Sequence, residues 1–83
     1  MSYTENGNAE GDAYMNLVFR ERLQNLREKK RISRIVLSEL CGLAPDAVRR
    51  YERGESEPSM ASLTALADYF EVSVDYLIGR VDG

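Results

Sequence analysis

The sequence predicts an all-α fold of five short helices in one compact domain. Apolar residues recur at helical spacing, as in Phe19, Leu23 and Leu26 at i, i+4 and i+7, or Leu63, Leu66, Ala67 and Phe70. Serines suited to capping stand before three of the helical stretches, at Ser33, Ser59 and Ser73. No alternating apolar and polar run with a hairpin turn argues for a sheet. A chain of 83 residues has room for one domain. At that size only roughly 60 to 65% of the unfolded surface is buried on folding, so helix packing must be efficient.

In chain order, residues 1–14 open with MSYTENGNAEGDA, rich in Asn, Gly and Glu and without apolar periodicity. Too little apolar surface is present there to offset the entropy of ordering, which predicts a disordered acidic tail before a folded domain over residues 15–83. The first helix is expected from about Asn16 to Lys30. Ile32 then precedes Ser33, and Ile32 and Leu37 have the spacing of a hydrophobic staple. The second helix is expected over about Arg34 to Cys41, burying Leu37 and Leu40 with Ile35 or Val36. Gly42 suits the left-handed residue that ends it. The third helix is expected over about Pro45 to Arg53, because proline is favoured at the first helical position. Ala44 is then its cap, and alanine leaves one amide without a side-chain partner at a cost of typically ~1 kcal/mol, offset in part by Asp46 in the first turn. Val48 and Tyr51 point inward. After Gly54 and the loop ESEP, Ser59 caps a fourth helix. Ser73 caps a fifth, with Val72 and Leu77 as a staple and Asp75 near its positive end.

Composition narrows the chemistry. The single Cys41 excludes an internal disulfide, and without histidine the usual zinc ligand sets cannot be assembled. No Ser-His or Cys-His pair and no Gly-rich phosphate loop is present, so no enzyme activity, metal or cofactor is expected. Cys41 reads as a small buried hydrophobe. No run approaches the ~18 apolar residues that cross a bilayer, and the basic-then-apolar layout of a secretion signal is missing, so a cytoplasmic protein is expected.

The net charge of -3 argues at first against a nucleic-acid partner. Its distribution argues otherwise. Residues 1–18 carry -3 and residues 55–83 carry -5, whereas residues 19–54 hold ten of the eleven basic residues against five acids, a net of +5. Electrostatic fields act over a Debye length of ~8 Å, so a positive face can exist on an acidic protein. A solvated mixed-charge surface is the plainer reading for Arg20, Arg22 and Lys29.

The stretch from Ser33 to Gly54, SRIVLSELCGLAPDAVRRYERG, reads as two short helices joined by a tight turn, a helix-turn-helix. Leu37, Ser38, Gly42, Val48, Tyr51, Glu52 and Gly54 stand in the register L-A-x-x-x-G-x-x-x-x-x-I-x-x-W/Y-E-x-G. On these residues the chain resembles the lambda-repressor and Cro-like (Xre-like) family of DNA-binding domains. The similarity runs from about Phe19 to about Gly79 and includes Glu57-Pro58-Ser59 and the SVDYLIGR ending.

The resemblance implies a sequence-specific transcriptional regulator, expected to be a repressor, that binds double-stranded DNA in the major groove as a homodimer. A protein-interaction or antitoxin-like module is the alternative. The family's base-reading positions correspond to Pro45, Asp46 and Arg50. Asp46 suits cytosine N4 and Arg50 suits guanine O6 and N7, although an intrahelical ion pair between the two is the competing role. Pro45 has no hydrogen to donate and offers at most an apolar contact to a thymine methyl. At the start of the second helix the family carries a phosphate-binding Gln, where this chain has Arg34, a stronger phosphate partner. Ser33, Arg49 and Arg53 are further phosphate candidates, with capping or plain surface charge as their alternatives. Arg27 and Glu52 match a structural ion pair of the family. Tyr69, Tyr76, Ile78 and Val81 are the apolar candidates for a dimer contact.

Overall fold

The computed structural model describes the backbone of residues 2–82 and the side chains of residues 16–82. Five helices follow one another: α1 (Ser2–Lys29), α2 (Arg34–Leu40), α3 (Ala47–Glu52), α4 (Met60–Phe70) and α5 (Val74–Leu77). No strand is present among the described residues, and none of their helices is long and apolar enough to cross a membrane. α1 begins at Ser2 rather than near Asn16. Once a helical turn exists, each further residue gains a hydrogen bond for the freedom it loses, so a helix can extend past its packed part. The tail expected over residues 1–14 lies outside the residues whose side chains are described.

The apolar stripes converge on one core. Phe19 and Leu23 of α1 meet Leu37, Val48 and Tyr51 from α2 and α3, Leu63, Leu66 and Phe70 from α4, and Leu77 from α5. Each such side chain contributes about 1.5–3 kcal/mol when fully buried. Tyr51 packs edge-on against Phe19 with ring centroids 5.9 Å apart, and its hydroxyl donates to Ser62 Oγ at 3.1 Å. The staple residues Ile32 and Val72, and with them Leu43 before α3, lie half-buried against this core.

Caps close the helices. Ser33, Ser59 and Ser73 each accept a hydrogen bond from the amide three residues on, at 3.1, 3.1 and 3.0 Å. Arg22, expected as solvated surface charge, lies over the Tyr76 ring at 4.2 Å and donates to the carbonyls of Tyr76 and Val81, tying the C-terminal segment to α1. Of the four dimer candidates only Val81 is exposed; Tyr69, Tyr76 and Ile78 are half-buried.

Helices α2 and α3 also depart from expectation. On α2 only Leu37 and Ser38 are buried; Ile35, Val36 and Leu40 are 58%, 44% and 60% exposed. A helix of seven residues presents one narrow stripe to its neighbour, and the remaining apolar residues stay outside it. α3 starts at Ala47, not Pro45, and its cap is Asp46 rather than Ala44. Pro45 and Asp46 form a preceding turn closed by the Ala47 amide on the Ala44 carbonyl at 2.9 Å, a tighter i to i+3 bond common at helix starts. No side chain of the cap residue serves α3. Instead the fully buried Ser38 of α2 takes the Val48 amide at 3.1 Å and donates its own proton to the Arg34 carbonyl at 2.9 Å. The amide expected to lack a cap thus finds its partner in another helix.

Candidate nucleic-acid interface

α3 has two faces. Ala47, Val48, Tyr51 and Glu52 are buried, while Asp46, Arg49, Arg50 and Arg53, spaced i, i+3, i+4 and i+7, are exposed. Gly54, at φ 73°, closes the helix with its amide on the Tyr51 carbonyl and that of Glu55 on the Arg50 carbonyl. A side chain at Gly54 would also collide with Arg20, whose guanidinium lies 2.8 Å from where a Cβ would stand and whose Nε donates to the Glu52 carbonyl at 3.2 Å. Arg20 therefore ties α1 to the end of α3, a role its local sequence did not signal.

The charges on the outer face are unevenly matched. Asp46 faces Arg49 at 3.9 Å rather than Arg50, Arg49 also approaches Glu55 at 4.0 Å, and Arg53 pairs with Glu55 at 2.8 Å. Exposed pairs of this kind are each worth at most about 1 kcal/mol, so a competing anion can draw these arginines away. Arg50 has no ion-pair or hydrogen-bond partner for its side chain among the described residues.

Beneath that face lies an ionic cluster. Arg27 grips Glu52 through two bonds, Nε to Oε2 at 2.6 Å and a terminal nitrogen to Oε1 at 3.1 Å, and its other terminal nitrogen donates to the Ile32 carbonyl at 3.1 Å. Arg34 adds a third bond, Nε to Glu52 Oε1 at 2.9 Å. The Glu52 side chain is 2% exposed and that of Arg34 45%. A buried carboxylate with this many charge-assisted donors is satisfied, and loss of Arg27 or Glu52, 12% and 2% exposed, would leave the other desolvated without its main counter-charge. The pairing of Arg34 with Glu52 joins residues eighteen apart and could not be read from spacing along one helix.

A cleft of about 450 Å³ opens between the starts of α2 and α3, lined by Arg27, Ser33, Arg34, Ile35, Pro45, Asp46 and Arg49. It brings together five of the seven predicted DNA-contact residues; Arg50 and Arg53 lie further along α3, outside its wall. Cys41 is half-buried with its thiol toward the Ala65 carbonyl at 3.8 Å, and burial raises its pKa above the ordinary thiol value. It is a packing residue, with the thiolate form disfavoured. No cluster able to hold a metal ion occurs among the described residues.

The sequence profile of the helix-turn-helix family matches residues 23–77. The chain belongs to the helix-turn-helix family. Within it, the chain is a lambda-repressor-like domain. It is 41% identical over 66 residues to the HTH-type transcriptional regulator AnsR of Bacillus subtilis, covering 80% of this chain and 54% of that protein. The P22 c2 repressor in complex with a synthetic operator superposes with a TM-score of 0.68 at 33% identity, covering 72% of this chain and 91% of that one. The restriction-modification controller protein C.AhdI from Aeromonas hydrophila gives a TM-score of 0.68 at 31% identity, covering 75% of this chain and 94% of that one. The helix-turn-helix chain spans about half the length of the curated relatives it matches.

Proposed function

We propose that this helix-turn-helix domain is the DNA-binding part of a sequence-specific transcriptional regulator. It binds double-stranded DNA as a homodimer, with α3 in the major groove, and represses by covering the promoter. The observation that carries this reading is the outer face of α3, where Arg50 stands exposed and unpaired among the described residues beside Asp46, Arg49 and Arg53. An α-helix fits the major groove, ~12 Å wide, and the preceding helix then meets the sugar-phosphate backbone.

In this reading Arg50 reads a guanine edge, Asp46 accepts from a cytosine amine, and Pro45 touches a thymine methyl. Ser33, Arg34, Arg49 and Arg53 hold phosphates. Ser33 keeps its capping bond while doing so, because its hydroxyl oxygen serves the Val36 amide and its proton stays available. Two domains engage half-sites about one turn, ~34 Å, apart. Val81, the exposed one of the four apolar candidates, is the residue assigned to the dimer contact. Residues 15–83 form the working domain, a reading supported by a core that runs from Phe19 to Leu77 among the described residues. Such a regulator acts in the cytoplasm and needs no cofactor or catalytic step.

Selection of bound sequences from a random duplex pool tests the proposal. A two-fold consensus with G or C at the Arg50 contact is the expected result. A second reading, a protein-interaction module, draws on Ile35 and Leu40, which α2 leaves uncovered. It would be favoured if the chain shows no salt-sensitive binding to any duplex.

A further inference from the structure

We infer that Glu52 is a positioning residue for the phosphate contact of Arg34, an inference that rests on the DNA-binding reading above. The observation behind it is a division of labour within one guanidinium. Arg34 Nε, the nitrogen nearest the backbone, donates to Glu52 Oε1 at 2.9 Å, whereas its two terminal nitrogens have no protein acceptor among the described residues. The same side chain lines the cleft between the starts of α2 and α3, with Ser33, Pro45 and Arg49.

A guanidinium is planar and its five N–H bonds stand in fixed directions. Fixing Nε–H therefore fixes where the terminal N–H groups point. Glu52 is able to impose that direction because it is itself held, at 2.6 and 3.1 Å by Arg27, and is only 2% exposed. An arginine free on the surface must surrender rotamer freedom when it meets a phosphate; Arg34 has surrendered part of it in the folded domain. Charge points the same way. Two guanidiniums share one carboxylate, so the cluster keeps a net positive charge beside the cleft and gains from a second anion. Nothing in this role concerns base identity, so it acts on affinity for every sequence alike.

Lysine separates this role from a simple positive charge. Its side chain carries a methylene where arginine carries Nε, so its ammonium must choose between Glu52 and a phosphate. The test measures binding of the full chain to a selected duplex and a random duplex by fluorescence anisotropy, with thermal melts confirming that each variant is folded. Arg34→Ala is expected to weaken both by about ten-fold. Arg34→Lys is expected to fall closer to Arg34→Ala than to the unaltered chain, and Glu52→Gln to weaken binding in the unaltered background but not in Arg34→Ala. Arg34→Lys binding closer to the unaltered chain would overturn the inference, as would losses from Glu52→Gln and Arg34→Ala that simply multiply. If Glu52→Gln does not fold, the lysine variant decides alone. Absence of salt-sensitive binding by the unaltered chain would instead remove the DNA reading, and this inference with it.

Discussion

Arg49 and Arg50 are neighbours on α3 in different electrostatic company. Arg49 is shared between Asp46 and Glu55, whereas Arg50 has no counter-charge among the described residues. A forked donor that starts unpaired loses no protein contact when it meets a guanine edge, and a bidentate match discriminates by ~1–3 kcal/mol against a wrong base. Arg50→Ala is therefore expected to relax preference at one position in each half-site by that amount, leaving other positions unchanged. Competition binding against single-substituted duplexes reads this directly. A uniform loss over all duplexes would show that Arg50 holds the backbone instead. Asp46 stands beside Arg49 rather than Arg50, and a carboxylate brought near phosphates is repelled, so the effect of Asp46→Ala on base preference is expected to be the smaller of the two.

At the scale of elements, the joint between α2 and α3 depends on Ser38. Its hydroxyl links the Arg34 carbonyl to the Val48 amide inside the core. Ser38→Ala should cost about 1–3 kcal/mol, because it leaves a buried amide without an acceptor, and denaturant unfolding would measure it. The two glycines that end α2 and α3 allow a matched comparison. Gly42 and Gly54 have φ near 71° and 73°, yet a Cβ meets nothing at Gly42 and meets Arg20 at Gly54. Alanine at either position should lose about 1 kcal/mol to the left-handed backbone, and Gly54→Ala should lose more, by displacing Arg20 from the Glu52 carbonyl. Equal losses would mean that Arg20 contributes nothing there. The caps at Ser33, Ser59 and Ser73 and the stripes of α1 and α4 were legible in sequence, because capping and amphipathicity are local. The exposure of Ile35, Val36 and Leu40 was not, since a seven-residue apolar helix does not say which side meets its neighbour. Ser38, Arg20 and the Arg34–Glu52 bond act between elements, which spacing within one element cannot reveal. The pairing of Arg27 with Glu52 was visible only through likeness to a family.

At the scale of the molecule, charge is segregated along the chain. Ten of the eleven basic residues fall within residues 19–54, and the net charge of the whole is -3. Folding places Arg34, Arg49, Arg50 and Arg53 outward on α2 and α3, while Arg20, Arg22 and Arg27 are drawn into ties with Glu52 and the C-terminal segment. If each domain neutralises about three phosphates, a dimer releases the counterions of about six, and log K should fall against log salt with a slope near -5. Above about 0.1 M salt the acidic remainder of the chain does not alter that slope, because counterion release counts phosphates contacted and not total protein charge. It lowers affinity at low salt instead, through repulsion that a Debye length of ~10 Å at 0.1 M already screens. Affinities measured from low to moderate salt thus separate the two effects: a straight line near -5 means local contacts dominate, and a slope near zero would mean that the arginine face does not meet a duplex.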